Sequence, residues 1–536
     1  MILEGKMKRK VLFFTALSVL AFGQSEKSYI GKGNGYGGEL KVNVKTKGEE
    51  IVDLELISHK ETSPVVKRAF PVIKERIIEA QSPIVDNVSG ATYTSFGVKR
   101  AVAQALKAQG KDYGKITVKT GGPKEEIAYL EPVNTDIVIV GGGPAGLAAA
   151  ISAKEAGAKN IILIEKLDIL SGNGKFDMNF FDLINSEAQK KNGTFDTVEA
   201  FVKDKANKMD TIERTQAQAE GAFKLDAWLR GMGIELNHNY GLRNHMAEKD
   251  AYAGEEIQDG LEKKVKELGI DVRTGTKGLD LIVKDGEVTG VKVQNKNKFY
   301  DINAKAVILA TGGFSHNKEL LAKYAPGSET LATSNQMSAT GDFIPVFEKN
   351  NLKMDNLDVL SIFSFILVPS RDLTGGGDGY ILVNQEGKTF LKDKPTSMER
   401  AKSIEAQTGS YAYYIYDQDL YDSFYRLQKH NNLGLHTKAE TIEELAKKLN
   451  IPVEELKNST KTLRKEGPYY GAKVQSAIHM TKGGVVADEK TQVVNTKGEK
   501  VKGLYAAGEV TSTSAAYSAA VVFGRIAGEE AANSIK

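Results

Sequence analysis

The sequence predicts an α/β fold organised around a nucleotide-binding βαβ unit. Residues 137–140 are a continuous β-branched run, which is typical of a parallel strand covered on both faces. Gly141, Gly143 and Gly146 follow it directly in the spacing G-x-G-x-x-G. Glu165 ends the next apolar run, nineteen residues after Gly146. Strand, glycine turn and distal acid together predict this unit.

Each part of this stretch has a physical role. The first glycine permits a tight turn, the second lets the backbone approach a pyrophosphate, and the third allows a helix to pack closely on the strand. Residues 147–156 are rich in alanine and predict that helix, whose N-terminal amides would face the phosphates. The Glu165 carboxylate could accept hydrogen bonds from ribose hydroxyls. The alternative is a glycine turn in an ordinary α/β domain.

Composition excludes several classes of function. The chain has 72 basic and 69 acidic residues, a net charge of +3, which argues against a nucleic-acid partner. It has no cysteine, which excludes disulfides, thiolate metal sites, iron–sulfur clusters and thioether-linked haem. Any electrons that the protein handles would therefore reside on flavin or nicotinamide.

The N-terminus has the layout of a secretory signal peptide. A basic start at residues 8–10 precedes an apolar run at 11–22, with small residues at Ala21 and Gly23. We predict a signal peptide at residues 1–23, with Met7 as an alternative translation start. An uncleaved N-terminal anchor is the other interpretation. Either one predicts an extracytoplasmic protein, in the periplasm or at the cell surface.

A small α+β domain is predicted at residues 27–122. Residues 39–44 and 51–56 alternate apolar and polar side chains and predict a β-hairpin. Residues 65–80 predict a helix interrupted near Pro71, and residues 95–108 predict an amphipathic helix. The second helix follows the small residues of DNVSGATYTS. Their backbone amides and hydroxyls could bind a phosphate at the start of the helix, or the hydroxyls could simply cap the helix.

This segment resembles the flavinylation motif of FMN-binding domains in sodium-pumping quinone reductase subunits and extracytoplasmic flavoprotein reductases. The resemblance implies that an FMN phosphate is esterified to Thr92, with Asp86 as the upstream acid of the motif. Thr94 is the nearby alternative acceptor. A flavin transferase would be the partner that attaches the cofactor.

Further motifs follow the βαβ unit. They are SGNGKFDMNFFD at 171–182, a long helical region at 197–233, hairpin patterning at 271–305, the strand and turn AVILATGGF, and GLYAAGEVTS ahead of a helix at 515–534. In this order they resemble the flavoprotein subunits of fumarate reductases and succinate dehydrogenases, in particular the secreted branch with urocanate and acrylate-type reductases. The resemblance covers residues 128–536.

The resemblance implies a Rossmann-like FAD domain at 128–358 and 479–536, an inserted α+β capping domain at 359–478, and the FMN-binding domain in front. FAD would be held without a covalent bond. The residues that match the family's cofactor contacts are Gly141, Gly143, Ala145, Gly146, Glu165, Lys166, Asn173, Thr311, Gly312, Gly341, Asp342 and Glu509, to which we add Ser518.

The catalytic pattern of the family is only partly present. HMTKGG at 479–484 matches H-x-T-M-G-G, which implies that His479 binds the carboxylate or carbonyl of the substrate, with Thr481 nearby. A structural histidine is the alternative. The family's H-G-x-N-R-x-G-G, whose arginine pairs with a substrate carboxylate, is replaced by STSAAYSAAVV. Tyr517 and Ser518 are the polar side chains that could take that role.

The proton donor of the family is an arginine after a phrase like R-F-V-N-E. In this chain TFLKDKPTSMERAKS places Ser397 at the matching position and Arg400 three residues later. Arg400 is our first candidate, although Thr396 and Glu399 predict a capping box that would make it a solvated residue. Arg371 is the second candidate. The family's histidine ahead of the cap is replaced within SIFSF, near Phe363.

We predict an FAD-dependent oxidoreductase acting on CH–CH bonds, with electrons passing from a membrane-associated donor through FMN and FAD to an unsaturated organic acid or enone. The lost cationic residues argue against a small dicarboxylate, because a buried, unpaired carboxylate costs several kcal/mol. A larger, less charged, aromatic acceptor fits better. The alternatives are an electron-transfer flavoprotein without enoate reductase activity, and a flavin dehydrogenase working oxidatively with Tyr517 as its base.

Overall fold

The computed structural model of the protein describes residues 25–122, 126–170, 172–176, 181–246, 253–513 and 517–536. The predicted signal peptide at 1–23 and the predicted start of the last helix at Ala515 lie outside these residues. Among the described residues, no helix has the length and apolar character needed to cross a membrane.

The chain folds into two compact units. The first comprises the residues up to 60 together with 73–86 and 93–121, and the second comprises 61–72, 87–92 and 122–536. The elements of the N-terminal region are β1 (Glu26–Asn34), β2 (Glu39–Lys47), β3 (Glu50–Ser58), α1 (Ser63–Ala80) and α2 (Thr92–Lys107). The antiparallel sheet β1–β2–β3 contains the predicted hairpin.

The two N-terminal helices differ from their predictions. Helix α1 continues through Pro71, because its apolar positions Ala69, Ile73 and Ile77 are fully buried along one face and offset the lost backbone hydrogen bond. Helix α2 begins at Thr92, three residues earlier than predicted.

The second unit begins with the predicted βαβ unit. Up to residue 355 its strands are β4 (Ala128–Tyr129), β5 (Val133–Val140), β6 (Ile161–Ile164), β7 (Phe181–Asp182), β8 (His238–Tyr240), β9 (Asn244–Met246), β10 (Asp271–Arg273), β11 (Thr276–Lys284), β12 (Glu287–Asn295), β13 (Lys298–Leu309), β14 (Ala332–Thr333) and β15 (Met354–Asp355). Its helices are α3 (Pro144–Glu155), α4 (Glu187–Asn192), α5 (Val198–Lys205), α6 (Ile212–Arg230), α7 (Ala253–Glu267), α8 (Lys318–Tyr324) and α9 (Ile344–Lys349).

The long helical region predicted at 197–233 is two helices, α5 and α6. Helix α6 has its own N-cap, Thr211, whose side chain accepts a hydrogen bond from the Arg214 backbone N–H. A new cap of this kind starts a separate helix because it satisfies an amide that a continuous helix would pair internally.

The region that corresponds to the predicted cap follows. Its elements are β16 (Leu360–Leu367), β17 (Leu373–Thr374), β18 (Ile381–Val383), α10 (Ser397–Glu405), β19 (Ala412–Asp417), α11 (Gln418–Ser423), α12 (Tyr425–Asn432), β20 (Thr437–Ala439), α13 (Ile442–Leu449), α14 (Val453–Ser459) and β21 (Tyr469–Thr481). The chain ends with β22 (Gly484–Val485), β23 (Gln492–Val494), β24 (Lys500–Ala506) and α15 (Tyr517–Ser534).

The central sheet of the second unit has the order β10–β6–β5–β13–β12–β11, and β24 pairs in parallel with β13. Strands β10, β6, β5 and β13 are parallel to one another. Residues 137–140 are all buried, as the β-branched run predicts. Helices α3 and α15 pack on one face of this sheet, and their alanines allow a close approach.

The cap contains the antiparallel sheet β17–β16–β21–β19–β18 over an aromatic core that includes Phe365, Tyr414 and Tyr416. One polar chain crosses this core. The Asn431 amide donates to the Tyr416 hydroxyl, which lies 2.7 Å from His436 Nδ1. Burial lowers the pKa of His436 to about 3, so the imidazole is neutral. Because the Tyr416 oxygen already accepts the Asn431 hydrogen bond, its own proton can be donated to Nδ1 in the tautomer that carries hydrogen on Nε2.

Two more side chains continue this hydrogen-bonded series. In the tautomer with hydrogen on Nε2, His436 donates to Thr374 Oγ1 at 2.9 Å, and Thr374 donates to His430 Nδ1 at 2.8 Å. Burial, with smaller contributions from His436, Arg426 and Lys429, holds the pKa of His430 well below its ordinary value. The series ends at His430 Nε2, a buried ring nitrogen for which the described residues provide no hydrogen-bond partner.

Candidate active site

The turn between β5 and α3 forms one end of a deep cleft. Gly141 has a φ of +116°, and a Cβ there would lie 2.3 Å from the Ala310 carbonyl oxygen. A Cβ on Gly146 would lie 1.9 Å from the Gly141 carbonyl oxygen. Helix α3 has Gly143 as its N-cap and no side-chain cap, so its first amides are not covered by a capping side chain. This end of the cleft suits an anion that approaches the backbone.

Two carboxylates stabilise the cleft wall beyond the turn. Glu165 is buried and accepts hydrogen bonds from the backbone N–H groups of Gly142, at 2.8 Å, and Leu167, at 2.9 Å. Asp342 pairs with Lys166 at 2.8 Å and with Lys277 at 3.2 Å. Burial would raise the pKa of Asp342, but the two ammonium groups outweigh it and lower that pKa below its usual value.

Glu509 lies at the buried part of the cleft. It accepts hydrogen bonds from the Thr481 N–H at 3.0 Å and the Thr481 hydroxyl at 3.2 Å. Burial raises the pKa of Glu509. A Cβ on Gly313 would meet the Glu509 carboxylate, which explains a glycine in the turn after β13. Thr481 therefore holds this turn, since its Oγ1 also accepts the Phe314 N–H.

The cleft brings together most of the predicted cofactor contacts. The predicted residues on its wall are Gly141, Gly143, Ala145, Glu165, Lys166, Asn173, Thr311, Gly312, Asp342 and Glu509. Gly146 lies behind the wall, where it permits close packing of α3, and Gly341, with a φ of +63°, positions Asp342. Ser518 is buried and lies outside the wall. A dinucleotide fits here, because the turns that would face it lack Cβ atoms.

His479 lies on the wall of the same cleft. Its Nδ1 is 3.0 Å from Ser334 Oγ, and its ring packs edge-on against Phe363 at 5.7 Å between centroids. Burial lowers the pKa of His479 to about 4, with smaller contributions from Lys482 and Arg426. The imidazole is therefore neutral near pH 7 and can offer a hydrogen bond but not a charge.

The two arginines that the sequence proposes have different surroundings. Arg371 is on the cleft wall, and its Nη1 donates to the Asn335 carbonyl at 3.0 Å. Its φ of +67° is unusual for a residue with a side chain and marks a constrained position. Arg400 lies outside the wall, where it donates to Ser364 Oγ at 3.0 Å and packs on the Phe365 ring. The predicted capping box of Thr396 and Glu399 is present at the start of α10.

Arg426 is a third arginine that the sequence reasoning missed. It is on α12, buried, with its guanidinium carbon 5.2 Å from the centre of the Phe363 ring. Its neighbour Tyr425 stacks on Tyr240 at 4.1 Å between centroids. No local motif indicates Arg426, because YRLQKHNN has the pattern of an ordinary polar helix. Only the packing of the cap places its charge near His479.

Tyr517 is on the cleft wall at the glycine-turn end. Its ring packs against Phe181 at 5.2 Å, and its hydroxyl donates to the Gly254 carbonyl at 3.3 Å. A Cβ on Gly174 would lie 2.6 Å from the Tyr517 ring. Its predicted role as a base stays a prediction.

The N-terminal motif also has a defined geometry. Thr92 is half-buried at the start of α2, whereas Thr94 is only 3% exposed. Of the two candidate acceptors, Thr92 offers the more accessible hydroxyl. An FMN phosphate therefore fits better at Thr92 than at Thr94.

Known proteins resemble this chain along most of its length. The FAD binding domain family matches residues 136–520 and the FMN-binding domain family matches residues 35–107. The NADH:fumarate oxidoreductase of Klebsiella pneumoniae is 29% identical over 92% of this chain, which spans 57% of that protein. The urocanate reductase of Eggerthella lenta is 29% identical over 96% of this chain and 93% of its own length.

A solved structure has the same architecture. The open conformation of a flavocytochrome c3 fumarate reductase aligns with a TM-score of 0.67 and 31% identity, covering 75% of this chain and 79% of that one. The expected α/β fold and the expected family are thereby confirmed. The chain belongs to the fumarate reductase-like family of FAD-dependent oxidoreductases and carries an FMN-binding domain ahead of its FAD-binding domain.

Proposed function

We propose that the protein is an extracytoplasmic reductase of the C=C bond in an α,β-unsaturated organic acid or enone. It would use FMN esterified to Thr92 and non-covalent FAD. The observation that carries this proposal is the placing of His479 and Arg371 on the same cleft wall as the glycine turn, Glu165 and Glu509. A neutral hydrogen-bonding ring and one cation thus adjoin the cofactor cradle.

The chain's own groups would bind and polarise the acceptor. FAD would supply a hydride in this cleft, and FMN would pass it electrons from a membrane-associated donor. His479, oriented by Ser334, would hydrogen-bond an oxygen of the acceptor, and Arg371 would pair with its carboxylate or carbonyl and draw electron density from the conjugated bond. Arg400 stays the proton donor that we propose from the sequence, although it lies outside the described wall, and Arg371, which is on the wall, is the alternative.

The wall favours an acceptor with one carboxylate and an apolar or aromatic body. Arg371 and His479 are both on the described part of the wall and contact the same short segment, since Arg371 donates to the Asn335 carbonyl and His479 Nδ1 lies 3.0 Å from Ser334 Oγ. The apolar side chains of Leu373 and Met480 are on the same wall. The acceptors named for the two relatives differ in this respect, since fumarate has two carboxylates and urocanate has one carboxylate beside an imidazole ring. We propose that the acceptor resembles the second type, because an unpaired buried carboxylate is costly.

Anaerobic stopped-flow tests this proposal. The dithionite-reduced protein is mixed with monocarboxylate aromatic enoates, fumarate and an enone, and flavin reoxidation is followed near 450 nm. We expect fast reoxidation by an aromatic enoate and slow reoxidation by fumarate. Reoxidation by dyes but by no enoate or enone would indicate the electron-transfer flavoprotein. Flavin reduction by a saturated substrate would indicate the dehydrogenase.

Covalent FMN and export need their own measurements. Peptide mass spectrometry of the native protein should show one FMN phosphate on the peptide that contains Thr92, lost in T92A and retained in T94A. The pattern of residues 8–23 supports export, and cell fractionation should place the flavin-loaded protein outside the cytoplasm. Recovery from the cytoplasm alone, without FMN, would contradict both parts.

A further inference from the structure

Two exposed tyrosines lie together in the first unit of the chain. Tyr36, in the turn between β1 and β2, is 42% exposed, and Tyr93, at the start of α2, is 51% exposed. Their ring centroids are 6.5 Å apart, and the ring planes meet at 50°. Side by side, two large exposed rings form an apolar surface that a single exposed tyrosine would not.

Glycines fix the position of this pair. A Cβ on Gly33 would lie 2.0 Å from the Gly97 carbonyl oxygen, and a Cβ on Gly97 would lie 2.8 Å from the Gly35 nitrogen. The backbone of α2 therefore rests directly on the end of β1 and on the turn that carries Tyr36. The Gly35 N–H closes that turn on the Gly38 carbonyl at 2.9 Å. Tyr36 is thus held beside the first turn of α2 by backbone packing.

The chain itself indicates what covers these rings. Tyr93 directly follows Thr92, and the match to the FMN-binding domain family, residues 35–107, includes both tyrosines. A flavin tethered through its phosphate hangs on a flexible ribityl chain, so its ring needs a separate contact to be held in one place. Planar aromatic side chains are suited to stack on such a ring.

We propose that Tyr36 and Tyr93 form the stacking platform for the isoalloxazine ring of FMN attached at Thr92. This inference rests on the proposed attachment at Thr92. The tilt between the rings gives the flavin one face to stack on and one edge to contact. The platform would limit the positions of the flavin from which electrons leave.

Flavin fluorescence tests the platform, because a tyrosine in contact with a flavin quenches its emission. The full-length protein, Y36A and Y93A are each compared with a T92A counterpart, which carries FAD alone, so that the difference is the FMN signal. Removing one stacking partner should lower the ratio of stacked to free flavin by about tenfold. The FMN lifetime should lengthen and its anisotropy should decay faster in both variants.

Matched controls separate stacking from other effects. Y36F and Y93F keep the ring, so anisotropy should stay high while quenching weakens. Tyr129 is 82% exposed and forms an aromatic pair with Phe299, at 5.7 Å between ring centroids, away from the N-terminal motif. Y129A should therefore leave the FMN signal unchanged. An unchanged FMN signal in Y36A or Y93A would overturn the platform, as expected if the tyrosines dock a partner protein instead. Absence of a flavin-fluorescent band after denaturing electrophoresis of the unmodified protein would overturn the attachment itself.

Discussion

The cofactor side of the cleft and the neighbouring cap are built differently. We call the glycine turn, Glu165, Asp342 and Glu509 the floor, and the cap residues Phe363, Arg371, Arg400 and Arg426 the roof, of which Arg371 is on the described cleft wall. On the floor, each named carboxylate is paired with an ammonium, a hydroxyl or backbone N–H groups of the chain. On the roof, arginines contact aromatic rings, a hydroxyl and single carbonyls. The carboxylates of the floor are held in place by the chain itself, which suits a ligand that stays the same, namely the cofactor. The arginines of the roof have fewer polar partners, so this side of the site can be adapted to different acceptors.

The floor should fail completely when its close packing is broken. In G146V the new side chain would overlap the Gly141 carbonyl, so we expect FAD content to fall below about a tenth of normal. The ratio of absorbance at 450 nm to 280 nm measures it, after correction for covalent FMN. Gly231 has only ordinary contacts at its Cβ position, and G231A should keep its FAD. Full FAD content in G146V would contradict the role of the floor.

The roof should control the reaction without controlling FAD. We expect R400M to lower kcat by about 10²- to 10⁴-fold if Arg400 donates the proton. R371M should mainly raise KM, because it removes the cation that pairs with the acceptor. Steady-state kinetics with the best enoate of the panel measures both, with FAD content as the control. A loss of less than about tenfold in R400M would transfer the proton-donor role to Arg371.

Acid should destabilise the cap and the strand that carries His479 before it destabilises the floor. His436 and His479 have folded-state pKa values of about 3 and about 4, below the ordinary 6.5, so only the unfolded chain binds their protons between pH 6.5 and 4. Stability should therefore fall as pH drops through this window, by on the order of 1 kcal/mol per pH unit for each histidine. The folded-state pKa of Asp342 is below its ordinary value, so the stability that this carboxylate contributes is lost only when the pH falls below about 4.

Urea unfolding at pH 7, 6 and 5 measures this effect. Cap unfolding, followed by tyrosine signals, should respond more than FAD release. A free energy of unfolding that is constant over this range would show that the histidines are not buried and neutral.

The smallest expected effect comes from Lys482, which replaces the methionine of the family's H-x-T-M-G-G. Its charge contributes, after burial, to the low pKa of His479. In K482M that pKa should rise, and the acid limb of the kcat/KM profile should move to higher pH by less than about one unit. The exposed Lys353 offers a control, since K353M should leave the profile in place. A shift to lower pH would show that Lys482 acts by another route.

The glycine turn and Glu165 could be predicted from the sequence because they form a local pattern. A strand, a glycine turn, a helix and an acid at a fixed distance are short-range, and the glycines are needed where a Cβ has no room. Asp342 and Glu509 lie far along the chain and are indicated by the family resemblance. Thr92 is indicated by an equally short motif through the family resemblance, and the structure adds that it is more exposed than Thr94. Pro71 shows the limit of local reasoning, because burial along α1 outweighs the proline.

The roof could not be predicted in the same way. Strands β16 and β21 change register between Ser361 and Ile362 and again between Phe363 and Ile366. A shift of one residue moves a side chain to the other face of a sheet, so spacing alone does not say which residue faces the cleft. Arg426 depends in addition on how α12 packs, which no motif encodes. The roles of Arg400, Tyr517 and Ser518 accordingly stay predictions.

Helix α12 connects the entry of an acceptor into the cleft with the pKa of His479. Tyr425 stacks on Tyr240, the Lys429 ammonium lies 3.8 Å from Met246 Sδ, and Arg426 lies between them in sequence. Any movement that lifts this helix to admit an acceptor would expose His479 to water and withdraw the arginine, which are the largest and the smallest causes of its low pKa. The pKa of His479 would therefore be higher while the cleft is open than after the helix returns.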